Sequence, residues 1–188
     1  MERLEEIFAA VDQAFARVRE AHPGEVRCGR GCEDCCHAVF DLSLVEAVNL
    51  EAALAGLPPA VREEIRLAAA GAWRQWRQLV EEGQDPATAR IRCPLLGADG
   101  LCLCYAARPV NCRTYGIPTV IEGKGHVCGL SGFSPGQAYP TVNLAAVQQR
   151  LFALAVELAG PEGGRRRWPV AAVVLGRADL AGPGAEGG

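Results

Sequence analysis

The sequence predicts a mainly α fold in which helices clamp a cysteine-rich, largely irregular metal-binding region with a short β-hairpin. Three observations lead there. Apolar residues recur at helical spacing in four separate stretches, most regularly at the N-terminus and around residues 144–158. Nine cysteines crowd into the middle of the chain, among glycines, prolines and charged residues that have no apolar period. Alternating strand–helix units, which would build a parallel sheet or barrel, are missing from the pattern.

Residues 2–21 place Leu4, Ile7, Phe8, Val11, Phe15 and Val18 on one stripe, with charges elsewhere, and Pro23-Gly24 ends the helix. Ala38-Val39-Phe40 suits an extended segment. Ser43 and Glu46 have capping-box spacing, so a second helix should run from about 44 to 55 before Gly56-Leu-Pro58-Pro59 stops it. A long helix over about 60–82 carries Ile65, Leu67, Ala68, Trp73, Trp76 and Val80 as its packing residues. Residues 92–105 read as two short strands around an Asp99-Gly100 turn. Arg108-Pro109-Val-Asn-Cys112-Arg113 reads as a short helix with proline first. Residues 116–140 are rich in Gly and Pro and are expected to be irregular. The last clear helix covers about 142–159, with Leu144, Val147, Leu151, Leu154 and Leu158 on one face. Arg165-Arg166-Arg167 is expected to be a solvated loop, and 170–175 is an apolar run of open state. At 188 residues the chain fits one domain over 1–180 and a flexible Gly-rich tail over 181–188.

Composition narrows the function classes. Apolar content of 49% supports a buried core. A net charge of −3 gives no general electrostatic basis for nucleic-acid or membrane-surface binding. The first residues lack the layout of a secretory signal, and no apolar run is long enough to span a bilayer. A cytoplasmic, soluble protein is the expectation, and in a reducing compartment clustered cysteines point to metal or catalysis and not to disulfides.

The chemistry concentrates at Cys28-Gly-Arg-Gly-Cys32-Glu-Asp-Cys35-Cys36. Four thiols in nine residues, separated by glycines and turn-forming acids, suit a loop that curls several sulfurs toward one point. Cys93, Cys102, Cys104, Cys112 and Cys128 follow. Cys32-x2-Cys35 is the single zinc-knuckle spacing in the set, and vicinal Cys35-Cys36 would strain to bind one tetrahedral ion. Both points lean toward a polynuclear iron–sulfur cluster, with zinc close behind. Six arginines (27, 30, 90, 92, 108 and 113) lie within four residues of a cysteine and could offset the negative charge of a thiolate site. Against that stands the use of eighteen arginines and one lysine along the chain, which makes arginine its default cation. Tyr105 and Arg108 are better placed to hydrogen-bond such a site than to act on a substrate. His37 and His126, near Cys36 and Cys128, are candidate ligands or donors, although a structural role is the commoner fate of such residues. His22 fits a helix C-terminus. Cys28-x3-Cys32-x2-Cys35 also matches the cluster spacing of radical S-adenosylmethionine enzymes, but the βα units of those enzymes are not in this pattern.

The joint pattern resembles the YkgJ-type cysteine-cluster family, the CxxCxxCC zinc- or iron-chelating domain. It rests on Cys28, Cys32, Cys35 and Cys36, then Cys93-Pro94-Leu-Leu, then Cys102-x2-Tyr105-x2-Arg108-Pro109-x2-Cys112-Arg113, then Cys128. The resemblance implies metal binding by Cys28, Cys32, Cys35, Cys36, Cys93, Cys102, Cys112 and Cys128, with Tyr105, Arg108 and Arg113 around the centre. It also implies a distant relation to the cysteine-rich part of flagellin lysine N-methylases. The first spacing is x3 where the family motif has x2, and Cys104 stands where an aliphatic residue is expected. The leading expectation is a metal-binding protein, iron–sulfur or zinc, serving redox or electron transfer. The alternatives are a metal-dependent lysine-modifying enzyme and a zinc-stabilised interaction domain. Neither a catalytic residue nor a protein partner can be named from these motifs.

Overall fold

The computed structural model describes residues 1–86, 88–178 and 180, and the expected tail over 181–188 lies outside them. The fold is mainly α. In chain order it contains α1 (Glu2–Ala21), β1 (Asp41–Ser43), α2 (Leu44–Ala55), α3 (Pro59–Glu81) and α4 (Val110–Thr114). Then come β2 (Thr119–Ile121), β3 (Lys124–His126), β4 (Val142–Asn143), α5 (Leu144–Arg165), β5 (Arg167–Pro169) and α6 (Val170–Val174). Single 3-10 turns occupy Asp34–Cys36 and Tyr105–Ala107.

The N-terminal stripe buries as its spacing predicts: Leu4, Ile7, Phe8 and Val11 meet Leu44 and Val45 of α2, Val110 of α4, and Leu144, Leu151 and Ala155 of α5. Each of the larger side chains there contributes roughly 1.5–3 kcal/mol on leaving water. A second core joins Leu42, Ala47, Leu50, Ile65, Leu95, Cys104, Ala107 and Val173. A third, smaller one gathers Val18, Val26, Ile117 and Phe133. The metal-loop candidates lie between these cores.

Several elements differ from expectation. In α3 the buried face is Ile65, Ala69, Ala72 and Leu79, whereas Leu67 and Val80 are exposed. Small alanines form the seam because α6 packs closely there, with Ala171 against Ala69 and Ala72. Trp73 and Trp76 stack on each other at 5.0 Å. The stretch 116–140 is not wholly irregular: β2 and β3 form a hairpin, and β4 adds to β2 in parallel. Glu122 (φ 49°) and Gly123 (φ 77°) form its turn, the paired positive φ that suits a two-residue hairpin loop. Around 92–105 the backbone does fold back, with Leu96 bridging Cys102, but it forms no extended strand pair. Pro109 caps α4 from outside its first turn. Arg167 belongs to β5, where it pairs opposite Ser43 and donates to Asp41 at 3.0 Å. The final long helix breaks at Ala159 and Gly160, just before Pro161. Among the described residues, no helix is long and apolar enough to cross a membrane.

Candidate metal centre

Backbone hydrogen bonds bring the cysteine-bearing segments together. Cys32 N–H donates to the Gly29 carbonyl, and Gly31 (φ 88°) supplies the left-handed step that only glycine takes cheaply. Cys35 and Cys36 sit in the 3-10 turn that follows. The chain from Cys36 then runs antiparallel to 90–93: Ala38 bridges Arg90, Ile91 N–H donates to His37, and Cys93 N–H to the Cys36 carbonyl at 2.6 Å. The turn after Cys93 and the Leu96–Cys102 bridge bring Cys102 back beside it. Cys112 arrives on α4. At Gly116 (φ 99°) an added Cβ would lie 2.6 Å from Cys28 Cβ, so the Cys28 side chain occupies the space a side chain at 116 would need.

All eight candidate thiols are partly buried, and Cys104 is fully buried within the second core. Lost hydration first, then the sulfurs of Cys32 and Cys35, push Cys28 up to about 11. A hydrogen bond with Cys36 and lost hydration raise Cys35 strongly. Lost hydration takes Cys93 to about 12, with Cys102 and Cys35 adding to it. Desolvation, and then Cys35, Cys93 and Cys102, push Cys112 well above its ordinary value. Desolvation likewise raises Cys102 and Cys128. At neutral pH these groups hold their protons, which a bound cation would have to displace.

Two features oppose that cost. Arg108 lies in the field of Cys28, Cys35, Cys102 and Cys112 and favours the thiolate form of each. Its guanidinium is held over the Tyr105 ring at 3.6 Å, and Nε donates to the Tyr105 carbonyl at 3.1 Å. The second feature is a repeated amide contact. The backbone two residues on, at Leu95, Cys104 and Leu130, favours the thiolate form of Cys93, Cys102 and Cys128. At Cys128 the Leu130 N–H lies 3.4 Å from Sγ. Such bonds stabilise the charged form.

The remaining residues divide by role. Arg113 is buried and committed elsewhere: it pairs with Asp12 at 2.6 Å, donates to the carbonyls of Arg108 and Ala106, and lies over Phe8. It fixes α4 to α1. Tyr105 is exposed and serves Arg108 with its ring and its carbonyl. Arg92 donates to Gly97 O, whereas Arg90 pairs with Asp34. His37 Nδ1 donates to the Glu33 carbonyl at 3.2 Å, His126 ends the exposed strand β3, and His22 packs edge-on to Phe133 and Tyr139.

Sequence reasoning missed Asp34 and Tyr115. Asp34 is nearly enclosed and accepts from Tyr115 Oη at 2.7 Å, from Arg90 and from Cys128 Sγ at 3.3 Å. Burial alone would raise its pKa, but these donors outweigh it and hold the carboxyl below its ordinary value. Nothing in the spacing joins residues 34, 115 and 128; only the Glu33-Asp34 insertion between cysteines hinted at a polar role.

Among the described residues, no three His, Cys, Asp or Glu side chains are drawn into a formed metal-binding group. The thiols nonetheless share one another's field. A donor set of thiols, with backbone amides and the Arg108 charge favouring their thiolate form, fits a thiophilic cation or an iron–sulfur cluster. No known family's sequence profile matches the chain, and no curated protein or solved structure is significantly similar to it.

Proposed function

We propose that this protein binds metal through its clustered cysteines, as an iron–sulfur or zinc protein whose centre serves electron transfer or redox sensing. The observation that carries this is the position of Cys35. Its sulfur hydrogen-bonds Cys36 and lies in the field of Cys28, Cys93, Cys102 and Cys112, thiols delivered by separate segments of the chain. Thiols gather this way at a cost in hydration that no apolar packing requirement explains. A resident metal or cluster would supply Lewis acidity or a one-electron couple. The chain's own residues deliver the sulfurs, with Arg108 offsetting their charge. An iron–sulfur cluster is the first choice, because vicinal Cys35 and Cys36 suit a single tetrahedral ion poorly.

Anaerobic purification followed by metal and sulfide analysis tests the reading. Brown protein containing iron and acid-labile sulfide supports the cluster. Stoichiometric zinc without sulfide, in cells supplied with iron, leaves metal binding but removes the cluster. Protein that retains neither metal, and takes up none on reconstitution, overturns the proposal.

A further inference from the structure

Residues 122–131 leave and rejoin the fold with little to hold them. The chain turns at Glu122 and Gly123, and every residue from Ile121 to Val127 is exposed. Gly123, Gly125 and Gly129 have nothing within 4 Å of where a Cβ would stand. Strand β3 pairs with β2 alone, so its other edge is open. At the far end Gly132 N–H donates to the Glu25 carbonyl at 2.8 Å, and an added Cβ there would stand 3.0 Å from Glu25 Cα, so this point is an anchor. Between turn and anchor, among the described residues, one hydrogen bond ties the segment to anything outside itself and β2: Cys128 Sγ donates to Asp34 at 3.3 Å.

The receiving carboxylate is fixed from the other side. Tyr115 Oη donates to the same oxygen at 2.7 Å, Arg90 pairs with the second oxygen, and the Asp34 side chain is 13% exposed. The Tyr115 ring stands edge-on to Phe40 at 5.7 Å, and Arg90 is bridged through its backbone to Ala38. Asp34 opens the 3-10 turn that carries Cys35 and Cys36. The seat thus belongs to the cysteine loop, and the arm is the part able to leave it. Exposed backbone with few buried apolar contacts opens at a small fraction of the cost of global unfolding.

From this arrangement we infer that residues 122–131 form a hinged arm, latched shut by the Cys128–Asp34 hydrogen bond, whose release opens the cysteine loop to solvent and reagents. The latch itself is built from hydrogen bonds of the metal-free chain; its use in regulating metal entry and release rests on the metal-binding reading. A hydrogen bond to a carboxylate is stronger than a neutral one, so a single bond suffices to hold so lightly attached a segment. Latching is separable from any donation of sulfur to metal. Serine at 128 has a hydroxyl to donate to Asp34, as the thiol does, whereas alanine has nothing to donate.

The full-length chain, freed of metal by a chelator and kept reduced, tests this through two readouts. One is N-ethylmaleimide labelling of each cysteine, followed by peptide mass spectrometry; the other is amide hydrogen exchange. In Cys128→Ala, labelling of Cys35 and Cys36 and exchange over 123–131 should run about tenfold or more faster than in Cys128→Ser. Labelling of buried Cys104 and exchange in α1 should be the same in both, since the latch touches neither the second core nor the N-terminal helix. Asp34→Ala should open the arm as Cys128→Ala does, and the double variant should be no faster than Asp34→Ala alone, because both changes remove one bond. Equal rates in Cys128→Ala and Cys128→Ser overturn the latch. Acceleration of Cys104 to the same degree, which marks general loosening, overturns it too, as does further acceleration in the double variant. None of these readouts needs a bound metal, so the arm can fail while metal binding stands, or stand in a protein that takes up none.

Discussion

The Glu46 carboxylate accepts the Val110 N–H at 2.8 Å, across 64 residues of sequence, with both residues buried. Its other oxygen accepts from Ser43 N–H and Oγ at 2.9 and 2.7 Å. One side chain thus caps the start of α2 and satisfies the first amide of α4, the helix that carries Cys112. A capping box ordinarily finishes one helix; here it also sets the placement of a second.

Glu46→Ala should therefore cost more than a lost cap. It leaves buried donors at Ser43 and Val110 unsatisfied, for about 3 kcal/mol, which corresponds to a fall of roughly 10 °C in Tm. Thermal unfolding followed by circular dichroism checks this. A change within about 1 kcal/mol, the range of an ordinary exposed cap, would show that Val110 finds another partner.

Gly116→Ala meets two obstacles at once. Its φ of 99° is left-handed, and the new Cβ would stand 2.6 Å from Cys28 Cβ. The strain should cost about 1–3 kcal/mol and displace Cys28. Metal content of the purified protein should fall with it. Gly136→Ala, also at positive φ but with open space around it, should cost stability without affecting metal content.

Arg108→Gln removes the one guanidinium that favours the thiolate at Cys28, Cys35, Cys102 and Cys112. Metal retention in chelator competition should fall about 10- to 100-fold. Arg108→Lys keeps the charge but loses the planar stack on Tyr105, so it should recover part of the loss. Equal retention in wild type and Arg108→Gln would show that solvent already screens this charge.

Stability of the chelator-stripped chain should fall in alkali. The folded Cys28 and Cys93 thiols sit at about 11 and about 12, above the ordinary 9.0. A raised folded pKa means that the native state holds its protons longer than the unfolded one. The contribution is intact below pH 9 and is lost as pH rises through 11 to 12. Denaturant midpoints measured from pH 8 upward should decline over that window. Metal-loaded protein, whose ligating sulfurs carry no proton, should show a flatter profile.

Cys104→Ala should retain full metal content. The thiol is buried with Leu95, Ala107 and Leu50 and acts as a small hydrophobe, so its loss should cost about 1 kcal/mol. Cys112→Ala should instead release metal. Metal loss in Cys104→Ala with normal content in Cys102→Ala would reverse their roles.

Local pattern determined a good deal of this protein. The stripe from Leu4 to Val18, the Ser43–Glu46 box and the breaks at Gly56 and Pro58 all follow from interactions within a few residues, so spacing alone reveals them. The crowding of thiols beside arginines was equally plain. Tertiary structure decided what depends on distant neighbours. The close approach of α6 turned the alanine face of α3 inward and left Leu67 and Val80 in solvent. Packing committed Arg113 to Asp12 and α1, leaving Arg108 to the sulfurs. The meeting of Asp34, Tyr115 and Cys128 was also out of reach of spacing, because it forms only when the 110–130 segment folds back over the cysteine loop. Sequence period reports which face of an element is apolar; it carries no information about which remote side chain a buried polar group will meet.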